Sequence, residues 1–343
     1  MPFQVTLQPS GHSYTVPDGD TVLAAALAAG RNLPYSCRAG MCRTCRGKVL
    51  EGKVDFGDVE ERFLTPEQRE QGLAMLCRAK PLSDLVVQIE ELKLQGSRPR
   101  MLPCRVTKLT RAAPDVMILT LKLPMNEPLQ FVAGQYVDFI LKDGRRRSYS
   151  IANPPELKGT STVELHIRHL PGGAFTDTVF STMKERDLLR MEAPLGTFYL
   201  REESTKPVIF LASGTGFAPI KSIIEFMLAQ QSTRPITLYW GCRAKQDLYL
   251  LDLPQQWAAG PAGLRFVPVL SEPRPEDAWS GRTGFVHRAV MEDFPDLSGH
   301  QVYACGAPAM VEAARTDFTT QCRLPEEEFF ADSFLTEADH ART

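Results

Sequence analysis

Strong charge of either sign is missing from this 343-residue chain. It carries 39 Lys and Arg against 41 Asp and Glu, a formal charge of −2, which leaves no electrostatic case for nucleic-acid binding. Long apolar runs are missing too: none approaches the roughly 20 residues that span a bilayer. The opening Met1-Pro2-Phe3-Gln4-Val5 has neither the basic start nor the apolar stretch of an export signal, so the expected location is the cytoplasm. There is no internal repeat and no low-complexity tract. What remains is ordinary: 43% hydrophobic and 23% charged residues, the composition of soluble globular proteins. The length exceeds one ordinary core and suits two or three domains.

Cysteine is the residue to follow, with eight in the chain. Cys37, Cys42 and Cys45 stand in a C-x4-C-x2-C spacing, and Cys77 follows 32 residues after Cys45. That is the pattern in which four thiolates hold a [2Fe–2S] cluster, two on each iron. Gly40 suits a loop whose backbone must approach inorganic sulfide. A zinc site would pair C-x2-C with a second such pair or with H-x3-5-H, and none follows. Disulfides would need an oxidising compartment. Arg38, Arg43 and Arg46 lie in the same stretch and carry two readings: a solvated loop, or charges that tune the cluster and meet an acidic acceptor protein. Over residues 1–92 the chain resembles plant-type ferredoxins.

Local patterns support that module. Residues 3–7 and 13–16 read as a hairpin about Pro9-Ser10-Gly11. Asp20 is placed to cap a helix from Thr21 to Ala29, and Thr65-Pro66 opens a second one. Residues 47–50 and 84–90 read as strands. Residues 93–103 have linker composition. Five strand-like stretches follow, at 104–109, 116–123, 136–141, 147–151 and 163–169, as in an antiparallel barrel. From about 202 strands alternate with helices, which implies a doubly wound parallel sheet. The expected division is therefore 1–92, a linker at 93–103, a barrel at 104–201, an α/β domain at 202–337 and a tail at 338–343.

Three further motifs carry chemistry. Arg147-Ser148-Tyr149-Ser150 offers a guanidinium for phosphate, a flat ring and a hydroxyl. Gly172-Gly173 lets backbone amides approach a diphosphate, with Thr176 at a helix start. Gly214-Thr215-Gly216, followed by Pro219, lies between a strand and a helix, where amides and the helix N-terminus can receive a diphosphate. No Lys-Ser/Thr pair follows it, which excludes ATP and GTP loops of Walker type. Arg243 follows the next strand, where an adenosine ribose would be read. Without a dense basic cluster there, NADH is favoured over NADPH, and Arg243 keeps NADPH open. His166 and His169, three apart on a strand, face opposite sides and read as structural.

These motifs, with Tyr303-Ala304-Cys305-Gly306-Ala307-Pro308 and the ending Phe329-Phe330-Ala331-Asp332-Ser333-Phe334, resemble the ferredoxin–NADP reductase superfamily. The likeness is to its three-domain reductases that serve ring-hydroxylating oxygenases, and among these most of all to the CDP-6-deoxy-Δ3,4-glucoseen reductases, whose acceptor is a CDP-4-keto-6-deoxyglucose-3-dehydrase. It implies a β-grasp-like α+β ferredoxin domain, an antiparallel FAD barrel and a doubly wound α/β nucleotide domain. It implies Arg147 on the FAD diphosphate, Tyr149 on the isoalloxazine, Ser150 near the reactive flavin nitrogen, and Gly172, Gly173 and Thr176 at the diphosphate. NADH would dock on Gly214, Thr215, Gly216 and Pro219, with Cys305, Gly306 and Pro308 near the nicotinamide. Asp332 and Phe334 would sit near the flavin, although an apolar terminal strand packed for its own sake reads equally well. The implied activity is electron flow from NADH through FAD and the cluster to a partner protein in transient contact. A carrier or redox-sensing module without NADH oxidation is the alternative, against which the intact Arg147, Ser150 and Cys305 stand.

Overall fold

In the computed structural model residues 2–92, 98–141, 143–261 and 263–334 are described. They form two compact units, residues 1–95 with 331–343 and residues 96–330. The expected tail at 338–343 and linker residues 93–97 lie outside the described residues.

The first unit begins with the expected hairpin, β1 (Phe3–Gln8) and β2 (Ser13–Val16), in which Val5, Leu7, Tyr14 and Val16 point inward by strict alternation. Helix α1 (Val22–Ala28) follows. Its cap is Thr21, whose Oγ1 accepts from the Ala24 amide at 3.2 Å, and not Asp20 as the sequence suggested. Asp20 is held one residue too early, its amide donating to the Pro17 carbonyl in the preceding turn. Then come β3 (Arg46–Glu51), β4 (Val54–Asp55), α2 (Pro66–Glu70), β5 (Leu73–Met75), β6 (Lys80–Pro81) and β7 (Leu85–Gln88). Thr65 and Gln68 cap α2 reciprocally, at 3.3 and 3.1 Å. The main sheet runs β2-β1-β7-β3-β5, with β1 and β7 parallel. Val22, Leu23, Ala25 and Ala26 of α1 are buried, which gives the β-grasp arrangement. The cysteine loop spans the gap from α1 to β3.

In the second unit β8 (Arg100–Ala113), β9 (Val116–Lys122), β10 (Tyr136–Ile140), β11 (Arg146–Ser150), β12 (Thr162–Arg168), α3 (Ala174–Ser181) and β13 (Leu188–Leu195) come first. The strands are ordered β11-β10-β13-β8-β9-β12, all antiparallel, and a bridge between Ile151 and Leu165 joins the two ends into a barrel. Strand β8 starts inside the stretch read as linker, because Leu102, Cys104 and Val106 alternate into the barrel core. Strand β13 was not anticipated. Its Met191 and Ala193 fill the same core beside Phe139, whose burial alone contributes about 1.5–3 kcal/mol.

The chain continues through β14 (Val208–Ser213), α4 (Phe217–Ala229), β15 (Ile236–Cys242), α5 (Asp252–Ala259), β16 (Arg265–Leu270), β17 (Arg282–Thr283), α6 (Val286–Asp293), β18 (Gln301–Gly306), α7 (Pro308–Thr320) and β19 (Phe329–Ser333). The sheet order is β17-β16-β15-β14-β18-β19, with β14 through β18 parallel. Successive strands step one way from β14 to β17, and β18 returns to the other side of β14. Ligands of open α/β sheets bind at the strand carboxyl ends where the order reverses, here β14 and β18. Among the described residues no helix is long and apolar enough to cross a membrane.

Candidate functional site

The four cysteines are brought together. Cys42, Cys45 and Cys77 are buried and Cys37 is half-exposed. The sulfurs interact in pairs. The hydrogen bond with Cys37 is the largest cause holding the Cys42 thiol down to about 5, and the bond with Cys77 is the largest cause pushing Cys45 up. Among the described residues no three Cys, His, Asp or Glu side chains converge on a single-ion position. Two pairs are the disposition a two-iron cluster needs, each iron taking two thiolates. The amides of Ala39 and Cys42 both point at Cys37 Sγ, at 3.4 Å, as expected of a loop that wraps charged sulfur. Gly40 has φ +79°, and a Cβ there would press on Val59 at 3.0 Å and Arg78 at 3.1 Å. The loop arginines are not simply solvated: Arg43 donates to the Arg62 carbonyl at 2.7 Å, and Arg38 lies over the Tyr35 ring.

The chain's last described strand reaches the same loop within the first unit. Ser36 Oγ donates to Asp332 Oδ1 at 2.6 Å, and the Ser333 amide donates to Ser36 Oγ at 3.3 Å. Thr44 Oγ1 donates to the Ala331 carbonyl at 3.4 Å. Burial pushes the Asp332 carboxyl up to about 6, against the pull of Ser36. Ser36 and Thr44 carry no sequence signal beyond their place beside cysteines. Phe334 is half-buried.

On the barrel, β11 sorts its motif by alternation. Arg146 and Ser148 turn to one face, where Ser148 donates to Asp138 at 2.5 Å and Arg146 pairs with Glu192 and Asp138. Arg147 and Tyr149 share the other face. The Tyr149 ring packs against Phe175 at 5.3 Å and Phe139 at 6.1 Å, and burial raises its hydroxyl pKa. Ser150 is buried. Gly172 and Gly173 form the turn into α3. The Thr176 hydroxyl closes that turn by donating to the Leu170 carbonyl at 2.9 Å. The Gly172 and Gly173 amides are themselves engaged, by Asp177 at 3.1 Å and by the Leu170 carbonyl at 2.8 Å, so what this corner offers an anion is the first amides of α3.

His166 is buried between Tyr249 Oη at 2.8 Å and Glu164 Oε1 at 3.0 Å, and His169 meets Asp177 at 2.8 Å. Lys221 adds ion pairs to Glu164 at 3.2 Å and Glu225 at 3.0 Å. Both histidines thus have protein partners, in keeping with the structural reading.

At the carboxyl ends of β14 and β18 two backbones touch. A Cβ on Gly216 would lie 2.2 Å from the Cys305 carbonyl oxygen, so glycine is required there by space alone. Ser213 Oγ accepts from the Ala307 amide at 2.9 Å, and Trp240 Nε1 donates to the Gly214 carbonyl at 2.9 Å. Thr215 and Cys305 are buried, Pro219 is the third residue of α4, and Pro308 is the first of α7. Arg168, for which the sequence carried no expectation, overhangs this turn: its Nη1 lies 2.8 Å from where a Gly214 Cβ would be, its Nε pairs with Asp115 at 3.1 Å, and among the described residues its buried Nη2 has no hydrogen-bond partner. The signal was a basic residue at the end of β12, just before the Pro171-Gly172-Gly173 turn. Beyond β15, Arg243 is exposed and Lys245 is held by the Asp277 carbonyl at 3.4 Å.

Comparison with known proteins accounts for all three patches. A 2Fe-2S iron-sulfur cluster binding domain matches residues 5–82, an oxidoreductase FAD-binding domain residues 103–199 and an oxidoreductase NAD-binding domain residues 210–316. The chain is 40% identical, over 98% of its length and 99% of the relative's, to the CDP-6-deoxy-L-threo-D-glycero-4-hexulose-3-dehydrase reductase of Yersinia pseudotuberculosis. It is 36% identical to a reductase component of terephthalate 1,2-dioxygenase from Comamonas, with 98% of both covered. The crystal structure of the Amycolatopsis cytochrome P450 reductase GcoB matches with a TM-score of 0.77 and 36% identity over 97% of this chain and 98% of that one.

Proposed function

Because the chain belongs to the iron–sulfur flavoprotein reductases that join a ferredoxin, an FAD and an NAD module, we propose that it takes electrons from NADH in preference to NADPH and passes them, in the cytoplasm and by transient contact, to an oxygenase or dehydrase partner. The class itself is established: the chain is an NAD(P)H-dependent oxidoreductase with FAD and a [2Fe–2S] cluster. Bound FAD supplies the change from a two-electron donor to single electrons, which a [2Fe–2S] centre takes one at a time.

The residues divide the work. Cys37, Cys42, Cys45 and Cys77 hold the cluster. Arg147 binds the FAD diphosphate, with the amides about Gly172, Gly173 and Thr176 behind it. Tyr149 presents a flat apolar face, and Ser150 donates to a ring nitrogen. Gly214, Thr215, Gly216 and Pro219 seat the nicotinamide dinucleotide, and Arg168 adds a guanidinium to that turn. Cys305, Gly306 and Pro308 would form the floor for the nicotinamide. The turn after β15 carries Arg243 and Lys245, and Lys245 is engaged by Asp277, which leaves little to hold a 2′-phosphate and supports NADH. The proposed modules are 1–92, 202–337 and a barrel that begins with β8 at Arg100 rather than at 104 and runs to 201.

The observation that supports delivery to a partner is the partial exposure of one ligand residue: Cys37 is half-buried while Cys42, Cys45 and Cys77 are buried, and that side of the loop is the edge a docked acceptor would meet. Such a contact can be small and weak. The dehydrase and dioxygenase named among the relatives supply the acceptor classes. The test is an anaerobic NADH titration followed by absorbance and low-temperature EPR. Bleaching of both chromophores with a rhombic reduced-cluster signal is expected, and no bleaching with either nicotinamide would sink the proposal.

A further inference from the structure

The terminal strand is fastened to both flanks of the cysteine loop. Ser36, immediately before Cys37, donates to Asp332 at 2.6 Å and accepts from the Ser333 amide at 3.3 Å. Thr44, between Cys42 and Cys45, donates to the Ala331 carbonyl at 3.4 Å. Asp332 and Ser36 are 7% and 8% exposed, so their bond is made where water competes little and a charge is weakly screened. A surface strand held only by packing would need neither a buried carboxylate nor two hydroxyls aimed at it from the ligand loop. Burying a carboxylate is costly unless it is paired, and Asp332 has its hydrogen bond from the residue next to a cluster ligand.

We propose that Asp332 is a positioning residue for the iron–sulfur loop, which with the Ala331 carbonyl fixes the loop through Ser36 and Thr44 and makes the cluster harder to reduce. The second effect follows from Coulomb's law: a buried negative charge beside a centre that gains an electron opposes that gain. The inference rests on the proposed role of Cys37, Cys42, Cys45 and Cys77 as cluster ligands.

The test is potentiometry of the cluster in the holoenzyme at alkaline pH, read by EPR. Asp332→Asn keeps an oxygen to accept from Ser36 and removes the charge. It is expected to favour cluster reduction about tenfold, which is about 59 mV for one electron. A purely structural role would leave that value unmoved, so an unchanged potential with an unchanged EPR line shape overturns the proposal. Should Asp332→Asn fail to load the cluster, Ser36→Ala decides. Without its donor the carboxylate is less neutralised, so reduction should become about threefold less favourable, and no change or the opposite sign overturns the proposal. Ser36→Ala and Thr44→Val should also speed amide exchange at residues 331–333 while NADH–ferricyanide activity, which needs only the flavin, persists. Wild-type protein measured first separates the two failures. No reduced-cluster signal in wild type fails the functional reading, whereas a normal wild-type signal with unmoved variants fails only this inference.

Discussion

Gly216→Ala is the sharpest test of how the nucleotide turn is built. Gly216 has φ −59° and ψ −11°, a conformation alanine adopts freely, so the substitution carries no backbone strain. Its effect is one of space. The added Cβ would sit 2.2 Å from the Cys305 carbonyl oxygen and 2.5 Å from its carbon, where ordinary contact needs about 3.4 Å or more. Both partners are main chain, so no side chain can swing aside. The turn must instead move away from β18 by about an ångström. Overpacking of this kind costs about 1–3 kcal/mol, and at 1.4 kcal/mol per factor of ten that is roughly five- to 150-fold in affinity if borne by the bound state. Steady-state NADH–ferricyanide kinetics should show the loss mainly in KM for NADH, with FAD retained. Gly299→Ala is the control, since nothing lies within 4 Å of its Cβ and its φ is unstrained. Equal KM and Tm for Gly216→Ala and Gly299→Ala would refute the claim that the two backbones meet at the binding turn.

Cys77→Ser should abolish the reduced-cluster EPR signal while NADH–ferricyanide turnover survives, because the thiol closes one of the two sulfur pairs. Arg147→Ala should weaken FAD retention by about 10- to 150-fold, the worth of one charge-assisted contact of about 1.5–3 kcal/mol; the flavin content of purified protein reads it directly. Acid should unfold the second unit through Glu164. Burial alone would raise its carboxyl, but the bonds from His166 and Lys221 win and hold it at about 2. A folded pKa below the unfolded one means stability present above the unfolded pKa and lost as pH falls through the folded value, here from about 4.5 down to about 2. Glu164→Gln should flatten denaturant midpoints across that window and lower them at neutral pH.

Much was legible because the chemistry is local. A C-x4-C-x2-C loop, an Arg-x-Tyr-Ser strand and a glycine turn between strand and helix each place their groups within a few residues, so spacing alone announces them. Alternation likewise marked β9, β10 and β12, and Thr65-Pro66 marked α2. The linker misread at residues 100–103 shows the limit: Pro and Arg signalled a break, while the inward alternation of Leu102, Cys104 and Val106 gained more by burial. Helix α1 starts at Val22, one residue later than its pattern suggested, which makes Thr21 rather than Asp20 the residue whose side chain meets the Ala24 amide.

The sequence by itself determined the fold class of the modules, the cofactors and the motifs proposed to hold them, since those depend on residue type and near-neighbour spacing. Tertiary structure alone decided which distant groups meet. It set Arg168 over the Gly214 turn, pressed Gly216 against the Cys305 carbonyl, enclosed His166 between Tyr249 and Glu164, and carried Asp332 to Ser36 across nearly three hundred residues. Those contacts arise from chain crossings and strand order, and burial then gives them their strength by removing the water that would compete for each donor and screen each charge.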